Sequence, residues 1–199
     1  MSLEQDLEAY LSQLKISDSS RKIGVACSAG VDSLVLLESL RKLHSNLYCL
    51  HLDHGLRSDS HIAREFLEAY CQTHQLNFIG RKLSMGALKP NEESARNERY
   101  SFFAEACLQN GITDLFLAHN ANDQAETILF RVFRGTNTAG LQGIPMSRKL
   151  SSELTLHRPL LKTPRHIIED YAITNKLSFI EDSSNEDLKY SRNRIRKCI

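Results

Sequence analysis

Six residues, Ser28-Ala29-Gly30-Val31-Asp32-Ser33, follow the apolar run Lys22–Cys27 at the point where a strand should hand over to a helix. Ala29 and Gly30 are small enough for backbone N–H groups to approach an anion, and Ser28 and Ser33 add hydroxyl donors. Asp32 adds a carboxylate able to hold Mg²⁺ against phosphate oxygens. The chemistry this composition suits is the binding of a phosphate chain. The same letters also suit a plain helix start capped by Ser28 or Asp32. Neither the G-x-x-x-x-G-K-[ST] loop nor a G-x-G-x-x-G turn is present, so two familiar phosphate-binding motifs are excluded.

Further groups with chemical capacity recur along the chain. Asp123 and Glu126 stand at i, i+3 and share one face of a helical stretch, where they form either a metal site or a solvated acidic face favoured by the helix dipole. Arg96 and Arg99 have the same spacing, so both guanidinium groups can meet phosphate from one face; Glu92, Glu93 and Glu98 nearby make surface ion pairs the competing reading. His51, Asp53, His54 and Arg57 cluster at the end of the run Leu47–Asp53, and His119 ends a later apolar run. Lys189, Arg192, Arg194, Arg196 and Lys197 form a basic tail with no acid among them. It suits phosphate contacts or a solvated terminus equally well.

The elements that must position these groups alternate between short apolar runs and amphipathic stretches, the signature of parallel βαβ units. Leu3, Leu7, Leu11 and Leu14 predict a first helix. There follow a strand at 22–27, a helix at 32–43, a strand at 47–53, a helix at 62–74 with Ile62, Phe66, Leu67 and Tyr70 inward, and a strand at 77–83. A Gly/Pro loop leads to a helix from an Asn91 N-cap to about Asn110, a strand at 114–119 and a helix at 121–134. Residues 135–149 read as loop, 154–161 as a strand, and 163–176 as a helix with Pro164 in its first turn. The expected fold is a three-layer α/β/α arrangement on a mainly parallel sheet. Residues 1–145 would hold the main catalytic unit, and 146–199 its remainder with the basic segment.

Composition limits the function classes. With 199 residues, 41% hydrophobic and 25% charged, the chain is long enough for a core, and its net charge of +1 excludes a surface that is basic throughout. Five cysteines without a C-x-x-C pair fit reduced thiols rather than a disulfide framework or a zinc site. The acidic N-terminal stretch and the lack of a span-length apolar run predict a cytoplasmic protein with no membrane contact.

Ser28–Ser33 resembles the S-G-G-x-D-S loop of N-type ATP pyrophosphatases. The segments HLDHGLRSDS, EESARNERYSFF, AHNANDQAETILFRVFRG, GLQGIP, RPLL and RNRIR are similar, in that order, to the signatures of the tRNA(Ile)-lysidine synthetase family. The resemblance implies an adenine-nucleotide α-hydrolase-like fold and a reaction in which O2 of the wobble cytidine of tRNA(Ile) (anticodon CAU) attacks the α-phosphorus of ATP. Pyrophosphate leaves, and the ε-amine of free L-lysine then displaces AMP to give lysidine. It further implies that residues 28–33, with His51, Asp53 and His54, bind ATP and that Asp32 ligates Mg²⁺. Asp123, Glu126, Arg96, Arg192 and Arg194 would serve the chemistry, the acids through metal or the lysine ammonium. His119 is a weaker candidate.

Ala29 replaces the family's first loop glycine, and is tolerable unless that position needs a positive φ. Asn120 and Asn122 replace His and Asp, which leaves Asp123 and Glu126 as the acids of their helix; Asn122 is expected to be peripheral. Family members continue past RNRIR, so a further tRNA-binding region is expected beyond this chain. The alternatives are a pyrophosphatase that thiolates tRNA or amidates a metabolite, and a non-catalytic nucleotide-binding module.

Overall fold

A computed structural model describes residues 2–16, 20–53, 55, 60–83 and 92–180. Ser2 opens α1 (Leu3–Gln13) through a capping box with Gln5, and the predicted stripe Leu3, Leu7 and Leu11 is buried. The chain continues as β1 (Ile23–Ala26), α2 (Val31–Leu43), β2 (Leu47–Asp53), α3 (Ser60–Thr73), β3 (Asn77–Lys82), α4 (Glu92–Asn110), β4 (Asp114–Phe116) and α5 (Ala121–Phe133). A 3₁₀ turn at Gly140–Gln142, β5 (Ser147–Lys149), β6 (Thr155–His157) and α6 (Arg165–Thr174) complete the described order.

The six strands form one sheet in the order β3-β2-β1-β4-β6-β5, parallel except for the antiparallel edge strand β5. Side chains alternate across the central strands, so each face carries its own core. Ile23, Val25, Leu47 and Cys49 pack with Leu34 and Leu37 of α2, Leu67 of α3, Ile168 of α6 and the α1 leucines. Leu50, Leu52, Leu115 and Leu156 pack on the other face with Phe102, Phe103 and Cys107 of α4. This is the expected three-layer architecture.

Four details depart from the pattern reading. Ile62 is 49% exposed, because α3 turns Leu67 and Cys71, rather than its first turn, to the sheet. Residues 135–149 are not all loop: a 3₁₀ turn and edge strand β5 lie among them, and a three-residue strand reading Ser-Arg-Lys carries no apolar alternation to betray it. The fourth strand ends at Phe116 rather than His119, and β6 covers only Thr155–His157.

A buried polar knot ties β4 to β6. Asp114 accepts a hydrogen bond from His157 Nε2 at 3.0 Å and from Thr113 Oγ1 at 2.6 Å, and pairs with Arg21 at 2.9 Å. With Nε2 donating, His157 Nδ1 takes the Tyr10 hydroxyl at 3.3 Å. Among the described residues, no helix is long and apolar enough to cross a membrane. The four described cysteines are buried free thiols.

Candidate active site

The strand order reverses direction between β1 and β4. In an open parallel sheet, the crevice beyond the carboxyl ends of the strands at such a reversal takes the ligand. Because β1 and β4 lie side by side with Val25 opposite Phe116, the turn leading into α2 and the turn leading into α5 meet there.

The first turn is folded on its own hydroxyls. Ser33 Oγ donates to the Gly30 carbonyl at 3.0 Å and accepts the Ser28 N–H at 3.1 Å. Ser28 Oγ lies 3.3 Å from Ser33 Oγ and accepts the Gly30 N–H at 3.4 Å. Ser33, expected to offer its hydroxyl to phosphate, is buried and spends it shaping the turn. The helix cap is Gly30, with no side-chain hydrogen bond, so neither Ser28 nor Asp32 caps α2. The first N–H groups of α2 lack intrahelical partners and, among the described residues, a side-chain cap, which suits them to an anion. Ala29 is fully buried with φ +69°, so this position does need the left-handed conformation that glycine holds without strain. Its carbonyl accepts the Ile180 N–H at 3.0 Å.

The second turn is organised by Asn120. Its Oδ1 accepts the N–H groups of Asn122 and Asp123 at 2.9 and 3.1 Å, and its own N–H donates to Asp123 Oδ2 at 3.0 Å. Its Nδ2 donates to Asp32 Oδ1 at 3.0 Å. One buried amide thus joins the acid of the first turn to the acid of the second. Sequence reasoning flagged Asn120 as a departure and did not foresee this role. Asn122, expected at the periphery, accepts the Arg165 backbone N–H at 3.1 Å and so fixes the start of α6. That places the Arg165 guanidinium 3.9 Å from Asp32 Oδ2, a contact that no spacing in the sequence announces.

Asp32 therefore sits among charges of both signs. Burial raises its carboxyl above the ordinary range, with the charges of Asp123 and Glu169 pushing the same way, while Arg165 and the Asn120 bond oppose them. Glu126, one turn beyond Asp123, is buried in α5. Among the described residues no cluster of three or more metal-ligating side chains occurs. Mg²⁺ asks for less, commonly one or two carboxylates with the remaining positions taken by phosphate and water, and a divalent cation would relieve the repulsion Asp32 feels from Asp123. The residues present fit such an ion.

His51 and Asp53 end β2 and are both buried. The His51 Nδ1–H donates to the Cys27 carbonyl at 2.8 Å, just before the first turn, and burial pushes its pKa down, so the ring is neutral. Asp53 accepts the Gly55 N–H at 2.7 Å. His119 belongs to the second turn, next to the Asn120 cap; burial pushes it down to about 4, Asp123 opposes this, and the charges of Arg158, Arg96 and Arg99 add to it. The two α4 arginines predicted from spacing are therefore close to the crevice. The Arg96 guanidinium lies 5.1 Å from the Tyr100 ring centroid. His54, Arg57, Arg192 and Arg194 lie outside the described residues, as does the rest of the basic tail.

Two further residues of the α5 segment hold the neighbouring loop. Gln124 brackets Ile144, accepting its N–H at 2.6 Å and donating to its carbonyl at 3.2 Å. Arg131 donates to the carbonyls of Gly140 and Gly143 at 2.9 and 3.0 Å. The GLQGIP segment is thereby fastened to the helix that carries the acids.

A mainly parallel α/β/α sheet, with a glycine-capped, anion-accepting turn at its switch point and carboxylates facing it, defines a nucleotide-binding α/β protein. The profile of the PP-loop domain matches residues 3–199, and the chain belongs to that family. It is 37% identical over 182 residues to a tRNA(Ile)-lysidine synthase of Legionella pneumophila (strain Lens), a match covering 90% of this chain and 42% of the relative. A tRNA(Ile)-lysidine synthase of Francisella tularensis is 38% identical over 200 residues, covering 100% of this chain and 49% of the relative. The chain spans less than half the length of these relatives. Among solved structures, a U34-tRNA thiolase of Methanococcus maripaludis, solved with its 4Fe-4S cluster, superposes with a TM-score of 0.79 at 15% identity, covering 96% of this chain and 68% of that one. A phosphoadenylyl-sulfate reductase of Candida auris gives a TM-score of 0.54 at 13% identity, covering 96% of this chain and 86% of that one. At those identities the structural likenesses speak for the fold alone.

Proposed function

We propose that this chain is the catalytic part of a cytoplasmic tRNA(Ile)-lysidine synthase. It would use ATP to adenylate the wobble cytidine of tRNA(Ile) with a CAU anticodon, then join L-lysine to C2 of that base through a carbon–nitrogen bond. The observation that carries this reading is the bridge Asp32–Asn120–Asp123, which brings the phosphate-accepting turn and the acids of α5 into one crevice, in a chain whose relatives along nearly its whole length are lysidine synthases.

Each step finds a group to serve it. The open N–H groups at the start of α2 take the pyrophosphate part of ATP, and their dipole favours the charge that grows there as the α-phosphorus is attacked. Asp32 and Asp123 would hold Mg²⁺, which when bound supplies positive charge against the phosphate oxygens. His51 and Asp53, at the end of β2, would serve the nucleotide's side of the crevice, with His54 assigned to the same role by the family resemblance. Glu126, buried one turn beyond Asp123, would orient the lysine ammonium and receive its proton as the amine becomes a nucleophile. Arg96 on α4, with Arg192 and Arg194 of the tail, neutralises phosphate charge. Burial of His51, Asp53 and Glu126 would favour attack by the amine over water.

The test is pyrophosphate release followed with tRNA(Ile), with an unrelated tRNA and with no tRNA, each with and without lysine, alongside incorporation of labelled lysine. The reading expects release that requires tRNA(Ile) and label that requires lysine. Asp32→Ala should abolish both with little change in melting temperature. Release indifferent to tRNA, or a tRNA product formed without lysine, would overturn it.

A further inference from the structure

Tyr100 of α4 gathers three arginines. The Arg96 guanidinium lies 5.1 Å and that of Arg148, from edge strand β5, 5.2 Å from its ring centroid. Its phenol also favours the charged form of Arg158, just past β6. Arg158 is only 2% exposed. Its Nη1 donates to the Pro145 carbonyl at 2.8 Å, while its Nε has no partner. Among the described residues no carboxylate lies within ion-pair distance of Arg96, Arg148 or Arg158. A buried guanidinium normally comes with an acid, because a lone charge away from water is costly. Here the neighbours of Arg158 are instead two more cations: burial lowers its pKa, Tyr100 opposes this, and the charges of Arg148 and Arg96 lower it. Such an arrangement opposes folding and is relieved by an anion.

We propose that Arg148, Arg158 and Arg96, with the Tyr100 ring, form a phosphodiester-binding site for the RNA substrate on the α4 side of the sheet, separate from the turn that takes the nucleotide's phosphates. This rests on the reading that the substrate is an RNA. The two places differ by sheet face: α2 packs with the first core cluster, and α4 with the second. They are still neighbours, since His119 in the second turn feels the Arg158 and Arg96 charges, and the next residue, Asn120, bonds Asp32 of the first. A strand whose base enters the crevice would therefore lay its backbone across the α4 side. Arg96 and Arg148 are exposed and able to reach it. Guanidinium groups beside an aromatic ring suit a nucleic-acid backbone with unstacked bases, and the buried Arg158 adds charge where solvent screens it least.

Arg148 is the informative position, because it is exposed on an edge strand and its replacement leaves the core intact. The test is retention of tRNA(Ile) and of an unrelated tRNA on filters across a salt series, for the wild type, Arg148→Gln and Arg148→Lys, with ATP affinity measured by calorimetry. Arg148→Gln should weaken binding of both tRNAs about three- to tenfold at low salt and lower the salt slope by about one, while Arg148→Lys keeps the slope. ATP affinity should not move. An unchanged slope in Arg148→Gln overturns the proposal, as does a loss confined to ATP affinity or a wild type that retains no tRNA. If Arg148→Gln shows the expected slope loss on both tRNAs, yet the wild type releases no pyrophosphate with tRNA(Ile), this site is supported and the lysidine reading sinks instead.

Discussion

At Ala29 the backbone takes φ +69° beneath a buried methyl group, in the turn from β1 into α2. A left-handed conformation costs a non-glycine residue about 1–2 kcal/mol, only partly offset by the lower chain entropy alanine carries in the unfolded state. Ala29→Gly should therefore stabilise the protein by up to about 1 kcal/mol, seen as a rise in melting temperature of about 2–4 °C. Ala29→Val should lower it by more, since a β-branched side chain tolerates that φ least. If both variants melt below the wild type by similar amounts, the cost lies in packing around residue 29 and not in its dihedral angle.

Helix α5 concentrates the crevice's polar groups in its first two turns. Asn120 caps it, Asp123 closes the capping box, Asn122 reaches α6, and Glu126 is buried one turn on. These roles separate by substitution. Asp123→Asn keeps an acceptor for the Asn120 N–H and Glu126→Gln keeps its shape, so each should spare the fold, yet each should slow lysidine formation at least about a hundredfold through loss of charge in a water-poor site. Asn122→Ala removes a cap on α6 but no charge, and should slow the reaction less than about tenfold. Single-turnover assays with melting curves distinguish these outcomes. If Asn122→Ala were the most damaging of the three, the placing of Arg165 beside Asp32 would matter more than the acids of α5.

For the molecule as a whole, acid sensitivity should run through the knot that joins β4, β6, α1 and the chain before β1. Burial pushes the Asp114 carboxyl up, but the hydrogen bonds from His157 and Thr113 and the charge of Arg21 outweigh it and hold the group below its ordinary 3.8. A carboxyl lowered in the folded state contributes stability that is complete above the unfolded value and is lost as pH falls through the folded one. Asp114→Asn should destabilise the protein by about 2 kcal/mol at neutral pH. That deficit should shrink below about pH 4, as the wild type takes up the same proton. Melting curves at pH 7, 5, 4 and 3 check this; a deficit that stays constant to pH 3 would assign the loss to packing.

Order and kind of element were legible along the chain because burial on both faces of a parallel sheet leaves apolar runs, and burial on one face of a helix leaves a stripe. Leu47–Asp53 and the α1 leucines show this most plainly. The turn from β1 into α2 stood out for a related reason, since its small residues and its acid lie within six positions and need no distant partner to be noticed. What escaped notice is what depends on approach through space. The bond from Asn120 to Asp32 spans 88 positions, the cap from Asn122 to Arg165 spans 43, and Arg148 and Arg158 reach Tyr100 only because β5 and β6 extend the sheet past β4. Local patterning is dictated by how each segment meets water, so composition and period carry it. The pairing of polar side chains is decided by which strand ends the topology brings together, and only the tertiary structure of this chain settles that.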